Sequence, residues 1–383
     1  MIYLDNNATT PIDPRILQKI HETENEYFGN PSSLYPIGRK AKDRIEEARE
    51  IIAKYINAKK EEIFFTSSGT ESDNWAIRGI LDVSPDKNEI IVSSIEHPAI
   101  INTCKYLEKK GIKVFYVPVD HEGIVDLDFI KDKISERTAL ISIMHANNEI
   151  GSIQPIEEIG KIASERKVVF HSDCVQSLGK IEIDVEKLKV DLLSISAHKL
   201  YGPKGVGALY IKKGVNILPL MLGGHQEKGR RAGTENVLGI IGFGEAVKIL
   251  HLESQEERKR IKTLSEMLKK GIESKISDVK FNGHPEKRIP STLNFCFSGI
   301  DGEALVMALS SKDIYVSTGS ACTEGEESPS HVLLSIGLSP EEANSSVRFS
   351  IGRFNKEEEI SKVLDEVSFI VEKLRELKNT DNY

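Results

Sequence analysis

The 383-residue sequence is short of cysteine, of positive charge and of long apolar runs, and each shortage removes a class of function. Its four cysteines, Cys104, Cys174, Cys296 and Cys322, are scattered, without a CxxC pair or metal-ligand spacing. Neither a disulfide framework nor a zinc site is expected, and the usage fits a reducing, cytoplasmic setting. A formal net charge of −8 argues against nucleic-acid binding, which neutralises phosphates with clustered Lys and Arg. No apolar run approaches the length of a membrane span. The chain passes from Met1 into Asp5-Asn6-Asn7 without the charged and apolar regions of a secretory signal, so neither membrane insertion nor secretion is expected. Internal repeats and low-complexity tracts are lacking as well.

What is present is a globular composition, 39% apolar and 29% charged, in a chain longer than the roughly 250–300 residues that one core holds. Between residues 61 and 211 short β-branched runs alternate with polar, helix-like segments, the pattern of βαβ units and a mostly parallel sheet. Strands are expected at 62–66, 89–93, 113–117, 139–144, 168–172, 192–196 and 207–211, which makes a seven-stranded sheet. Segments such as 72–80 and 153–165 carry apolar residues at three- and four-residue spacing and read as covering helices. Past Gly239 the pattern becomes a long charged helix over 252–276, suited to linking two bodies. Strands at 291–297 and 346–351 follow, then an amphipathic helix with Ile360, Val363, Leu364, Val367, Val371 and Leu374 on one stripe. The expected division is a large α/β domain over 15–250 and a smaller α+β domain from 1–14 and 251–383.

In open α/β sheets ligands sit beyond the carboxyl ends of the strands, so the polar residues found there carry the functional signal. After the first strand comes Ser67-Ser68-Gly69-Thr70-Glu71-Ser72, small residues leading into a helix N-terminus that can present N–H groups to a phosphate. A plain capping turn would look similar in isolation. His97 follows the second strand, Asn147 and Asn148 the fourth, Asp173 the fifth, and Ser196, His198 and Lys199 the sixth. Pyridoxal phosphate needs this inventory: a lysine for a Schiff base, a carboxylate for the pyridine nitrogen, phosphate donors and a group to stack on the ring. Lys199 and Asp173 fall on neighbouring expected strand ends. The Gly202-Pro203-Lys204-Gly205 stretch leads into a strand, not a helix, and so is not a P-loop.

These residues carry a family resemblance that runs nearly end to end. Its marks are Tyr3-Leu4-Asp5-Asn6-Asn7-Ala8-Thr9-Thr10-Pro11, Gly29-Asn30-Pro31-Ser32-Ser33, Ser68-Gly69-Thr70-Glu71-Ser72, Glu96-His97, Asn147-Asn148-Glu149-Ile150-Gly151, Ser196-Ala197-His198-Lys199, Arg231-Ala232-Gly233-Thr234-Glu235-Asn236 and Gly319-Ser320-Ala321-Cys322-Thr323. The chain resembles the cysteine desulfurases of iron-sulfur cluster assembly, which are class-V aminotransferase-like enzymes of the fold-type I pyridoxal-phosphate group. The resemblance implies that Lys199 binds the cofactor covalently, Asp173 pairs with the pyridine nitrogen, His97 stacks on the ring and moves protons, and Gln176 meets the ring hydroxyl. Gly69, Thr70, Ser196 and His198 would hold the phosphate, with Thr234 reaching in from the second subunit of a homodimer. Asn148 and Arg348 would fix the substrate carboxylate, a bidentate task suited to arginine. The family has alanine where this chain has Cys174, which reads as a small buried core residue.

Cys322 decides the reaction. It lies among small residues ahead of Glu324-Gly325-Glu326-Glu327, whereas Cys296 sits between Phe295 and Phe297 and Cys104 in an amphipathic helical stretch, both positions of core type. The implied reaction removes sulfur from L-cysteine, leaving alanine and a persulfide on Cys322, with Lys199 or His97 as the base for the α-proton. An iron-sulfur scaffold protein is the implied acceptor, and Cys322 could also serve as a ligand of a nascent cluster. The three glutamates disfavour a thiolate at Cys322, so a resting thiol is expected. An aminotransferase or selenocysteine lyase would show the same Lys199 and Asp173, and a non-catalytic assembly partner could use the acidic Cys322 loop and the C-terminal helix.

Overall fold

Strands that are apolar on both parities need cover on both faces. The computed structural model, which describes residues 1–318 and 329–380, provides it. After Ile2–Tyr3 (β1), one sheet is built among the described residues from Ile63–Thr66 (β2), Glu89–Ser93 (β3), Lys113–Val117 (β4), Thr138–Ser142 (β5), Val169–Asp173 (β6), Leu192–Ser196 (β7) and Gly207–Ile211 (β8). Their spatial order is β2-β8-β7-β6-β5-β3-β4. Only β8 runs against its neighbours β2 and β7. The fold is thus the α/β, mostly parallel seven-stranded arrangement expected.

Side chains alternate between the two faces. Ile91, Ile141, Phe170, Leu193 and Ile195 pack into one buried cluster with helices Pro36–Tyr55 and Ile156–Arg166. On the other face Ile90, Val92, Leu140 and Leu192 meet Trp75, Ile77 and Ile80 of helix Gly69–Asp82 and Ile100 and Cys104 of helix Pro98–Glu108. One strand bound differs from expectation in a way that matters. β6 ends on Asp173 instead of before it, because Asp173 still pairs with Ser194 of β7 and its carbonyl accepts from His145 N at 2.9 Å. The carboxylate is therefore mounted on the strand itself.

The charged helix expected from 252 begins fifteen residues earlier and spans Val237–Lys275. Its first half packs Ile240, Phe243 and Val247 into the core under the sheet, and its second half packs Leu264, Leu268 and Ile272 into another core. That second core surrounds Val279–Phe281 (β9), Thr292–Phe297 (β10) and Ser346–Ser350 (β12), an antiparallel sheet in the order β12-β10-β9. Ile314–Tyr315 (β11) pairs with β1 in parallel, which brings the N-terminus to this second body. Helix Glu357–Thr380 closes the core with its stripe, Ile360 to Val371 buried and Leu374 partly so.

One buried ion pair ties the large body together. Arg49, on helix Pro36–Tyr55, makes two 2.7 Å bonds to the carboxylate of Glu227, which also accepts from Phe65 N of β2 at 2.8 Å. Removing one partner of such a pair strands the other charge in the interior. Glu227→Ala is expected to cost about 3–5 kcal/mol, read as a lower midpoint in urea.

Candidate active site

β2, β3, β5, β6 and β7 run the same way, so the segments leaving them converge on one side of the sheet. Asp173 forms the floor. It is buried, and its Oδ1 accepts from Val175 N at 2.8 Å. Two residues back on the same strand face, His171 bridges Ser142 Oγ at 2.8 Å and Ser194 Oγ at 2.9 Å. Helix Gly69–Asp82 adds Asp73, whose Oδ1 lies 3.7 Å from His171 Nε2. Burial, then the charge of Asp173, hold the Asp73 carboxyl well above the usual range. Burial also raises Asp173, but the Val175 N–H and Lys199 oppose it. Two adjacent buried carboxyls do not both ionise. Lys199 gives the charge to Asp173 and leaves the proton on Asp73.

The lysine follows β7. Ser196 ends that strand, and the tight turn Ala197–Lys199 carries His198 and Lys199. Lys199 Nζ donates to the main-chain oxygens of Asn7 and of Ala8, the latter at 2.6 Å. His198 Nδ1 lies 3.2 Å from Thr9 Oγ1. The N-terminal segment is thus laid across the site, and Asn7 is its hub. Gln176 Nε2 donates to Asn7 O at 2.8 Å, and Asn7 Nδ2 donates to Asn148 O at 3.0 Å and Thr292 Oγ1 at 2.8 Å. Lys180 Nζ reaches both Asn7 Oδ1 at 2.9 Å and Gln176 Oε1 at 2.8 Å.

His97 caps helix Pro98–Glu108, and its Nδ1 accepts from Ala99 N at 3.1 Å. Burial, then the charge of Lys199, push its imidazole down to about 4. It is therefore neutral near pH 7, and with Nδ1 acting as acceptor its hydrogen sits on Nε2. The start of helix Gly69–Asp82 can cradle an anion. Ser68 caps helix Gly69–Asp82 by accepting from Glu71 N at 3.2 Å, leaving first-turn N–H groups free to face a ligand. Gly69 is required there, since a Cβ would come within 2.6 Å of Val175 Cγ2. Thr70 is exposed in that first turn.

Arg348, on β12, gives Nη1 to Asn148 O at 3.1 Å and Nη2 to Asp5 Oδ1 at 2.7 Å, while its buried Nε has no hydrogen-bond partner among the described residues. Lys199, Asp173, Gln176, Ser196, His198, His97, Asn148, Gly69 and Thr70 thus come from the ends of different strands of the large sheet, and Arg348 joins them from within β12. Thr234 stands apart, exposed in the stretch before helix Val237–Lys275. Cys322 lies outside the described residues. Cys174 is buried 3.7 Å from His145 Nδ1, and burial pushes its thiol up to about 12. Cys104 and Cys296 are buried too. Sequence reasoning missed Asp73, His171 and Lys180 as site groups, and Asn7 was noticed only as part of a motif.

The donor set fits pyridoxal phosphate: an amine on Lys199, a buried carboxylate on Asp173, an anion cradle at Gly69 and a neutral imidazole at His97. The class-V aminotransferase family matches residues 2–363 of the chain. A cysteine desulfurase IscS of Clostridium botulinum is 49% identical over 379 residues, spanning 98% of this chain and 96% of its own. The cysteine desulfurase IscS of Methanosarcina thermophila is 49% identical over 377 residues, 98% of this chain and 93% of its own. Among solved structures, a NifS-like protein superposes with a TM-score of 0.91 at 41% identity, covering 97% of this chain and 100% of that one. With the fold, the donor set and these relatives in agreement, the chain belongs to the class-V aminotransferase family and, within it, to the cysteine desulfurases.

Proposed function

We propose that the protein is a pyridoxal-phosphate-dependent cysteine desulfurase that moves the sulfur of L-cysteine to Cys322, releases L-alanine, and supplies iron-sulfur cluster assembly. The observation that carries this reading concerns the chain on either side of Cys322. Ser317 forms a two-way main-chain bridge with Arg348, at 2.6 and 3.1 Å. Downstream, Ser330 Oγ donates to Glu149 Oε2 at 2.5 Å, and His331 Nε2 lies 2.9 Å from Glu96 O. Arg348 is a site residue, Glu149 follows Asn148, and Glu96 precedes His97. Both flanks of the cysteine segment are therefore fastened to the site, and the five residues from Thr318 to Cys322 can reach at most about 18 Å from Ser317.

The cofactor would be held by Lys199, Asp173, Gln176, Gly69, Thr70, Ser196, His198 and His97, with Thr234 contributed by a second copy of the chain. Its chemical contribution is an electron sink that makes the substrate α-proton removable. The chain does the rest. Arg348, through its unpaired Nε, and Asn148 hold the substrate carboxylate. The Asp173 anion would keep the ring nitrogen protonated, while Asp73, held neutral by burial and by Asp173, adds no second negative charge. Because His97 carries its hydrogen on Nε2, the Lys199 amine is the base for the α-proton, and His97 serves as a donor above the site. Sulfur transfer forms a bond between Cys322 Sγ and the substrate sulfur as the carbon–sulfur bond breaks. The electron pair goes to the carbon fragment, which takes up a proton at its β-carbon and leaves as alanine. The Cys322 thiol plus cysteine becomes persulfide plus alanine, with no outside oxidant.

A homodimer is supported by the exposed apolar residues Phe28, Leu34, Tyr35, Met221 and Leu222; Pro31 and Ser32, between Phe28 and Leu34, line a cleft with Glu235, the neighbour of Thr234. A scaffold protein as acceptor, and transient cluster ligation by Cys322, follow from the family role. No helix among the described residues is long and apolar enough to cross a membrane. The test is direct: purified enzyme with L-cysteine and a reductant should yield sulfide and alanine in equal amounts. Accumulation of the corresponding keto acid without alanine would make the protein an aminotransferase instead.

A further inference from the structure

Lys180 is a half-buried lysine whose side-chain partners are amide oxygens, not carboxylates. Such a group is costly to bury and calls for a role. It belongs to the turn after β6, four residues past Gln176, and nothing in the reaction above uses it. We propose that Lys180 is a positioning residue for the reaction, fixing the amide of Gln176 as a donor toward the cofactor's ring oxygen and placing positive charge behind that contact. The proposal rests on the cofactor assignment above.

The hydrogen-bond chemistry sets the amide's orientation. Asn7 spends its Nδ2 hydrogens on Asn148 O and Thr292 Oγ1, so only its Oδ1 is left to face Lys180. Gln176 gives one Nε2 hydrogen to Asn7 O, a pure acceptor, and turns Oε1 to Lys180 Nζ. The second Nε2 hydrogen is then available to the ring oxygen. Without Lys180 only the Asn7 O contact holds the amide in that orientation, and Gln176 turns over more easily to present an acceptor, which would repel the ring oxygen. The same ammonium is linked through Asn7 to Lys199, since Lys199 Nζ also binds Asn7 O.

Charge reinforces geometry. Burial first, then Lys199 and Arg348, push the Lys180 ammonium down to about 7. Glu257 and Tyr201 face it across a small gap lined by both lysines, Asp5 is paired to Arg348, and Asp173 is acted on by Lys199. A donor from Gln176 with a cation behind it would favour the deprotonated form of a cofactor linked to Lys199. Their removal raises the pH at which the chromophore titrates.

The experiment is a spectrophotometric pH titration of the cofactor-loaded, full-length enzyme. Lys180→Met should move the midpoint up by about one pH unit, the scale of a nearby charge and a hydrogen bond to the charged form. Lys180→Gln, which keeps a donor of similar reach but no charge, should fold readily and shift it less. Adding Gln176→Ala should shrink the effect of Lys180→Met to less than half. An unchanged midpoint in both single variants would overturn the proposal, and equal shifts in the two would overturn the orientation role. A wild-type enzyme that forms no lysine-linked chromophore would instead sink the cofactor assignment and this proposal with it.

Discussion

Lys199→Ala is expected to lower the rate of alanine formation by on the order of 10⁴-fold, the upper end of what a positioned acid–base group contributes. Three separate functions end with it. The covalent anchor goes, so cofactor should leave on gel filtration where the wild type retains it. The base for the α-proton goes as well, because His97 already accepts at Nδ1 and holds its hydrogen at Nε2. The third loss is electrostatic. Lys199 lowers Asp173, so without it that buried carboxyl drifts toward the neutral state and holds the ring nitrogen less firmly. Exchange of the cysteine α-proton with deuterium should therefore cease, and small primary amines should restore part of it by replacing the base. Retention of α-proton exchange in Lys199→Ala would reassign the base to another group.

Most of the large sheet was legible because its physics is local. Apolar runs bounded by turns marked β3, β4, β7 and β8 to the residue. The strand ends then pointed to Lys199, Asp173 and His97, since parallel sheets concentrate polar residues there. The antiparallel direction of β8 was not legible: direction depends on the connection and on partners 130 residues or more away in β2, not on alternation within the strand. The same holds for the second body, where β1 pairs with β11 more than three hundred residues on. Lys180 was invisible for a different reason. A lysine in a turn reads as solvent-exposed, and its partial burial arises only when Asn7 of the distant N-terminal segment meets Gln176 beside it. Asp73 hid likewise, as a polar residue on a helix whose buried face is set by the strands beneath it.

Cys322→Ser is expected to abolish sulfide release from cysteine, down to the rate without enzyme, while leaving the earlier steps intact. The division follows from which groups act when. Lys199, Asp173, Asn148 and Arg348 bind and deprotonate the substrate without help from the thiol, so α-proton exchange and the cofactor spectrum should match the wild type. A serine hydroxyl has no low-energy route to a bond with the substrate sulfur, so the carbon–sulfur bond has no acceptor for its sulfur. Cys174→Ala, by contrast, should leave sulfide release unchanged, because Cys174 is sealed beside His145 with its thiol pushed up to about 12 by burial. Alkylation adds a second discriminator. With Glu324, Glu326 and Glu327 close in sequence, Cys322 in free enzyme should react slowly with iodoacetamide at neutral pH and faster as the pH rises. Sulfide release that survives Cys322→Ser would mean that sulfur leaves the substrate by elimination at the cofactor site, and the tethering of Ser317 to Arg348 and Ser330 to Glu149 would then serve the fold and not the transfer.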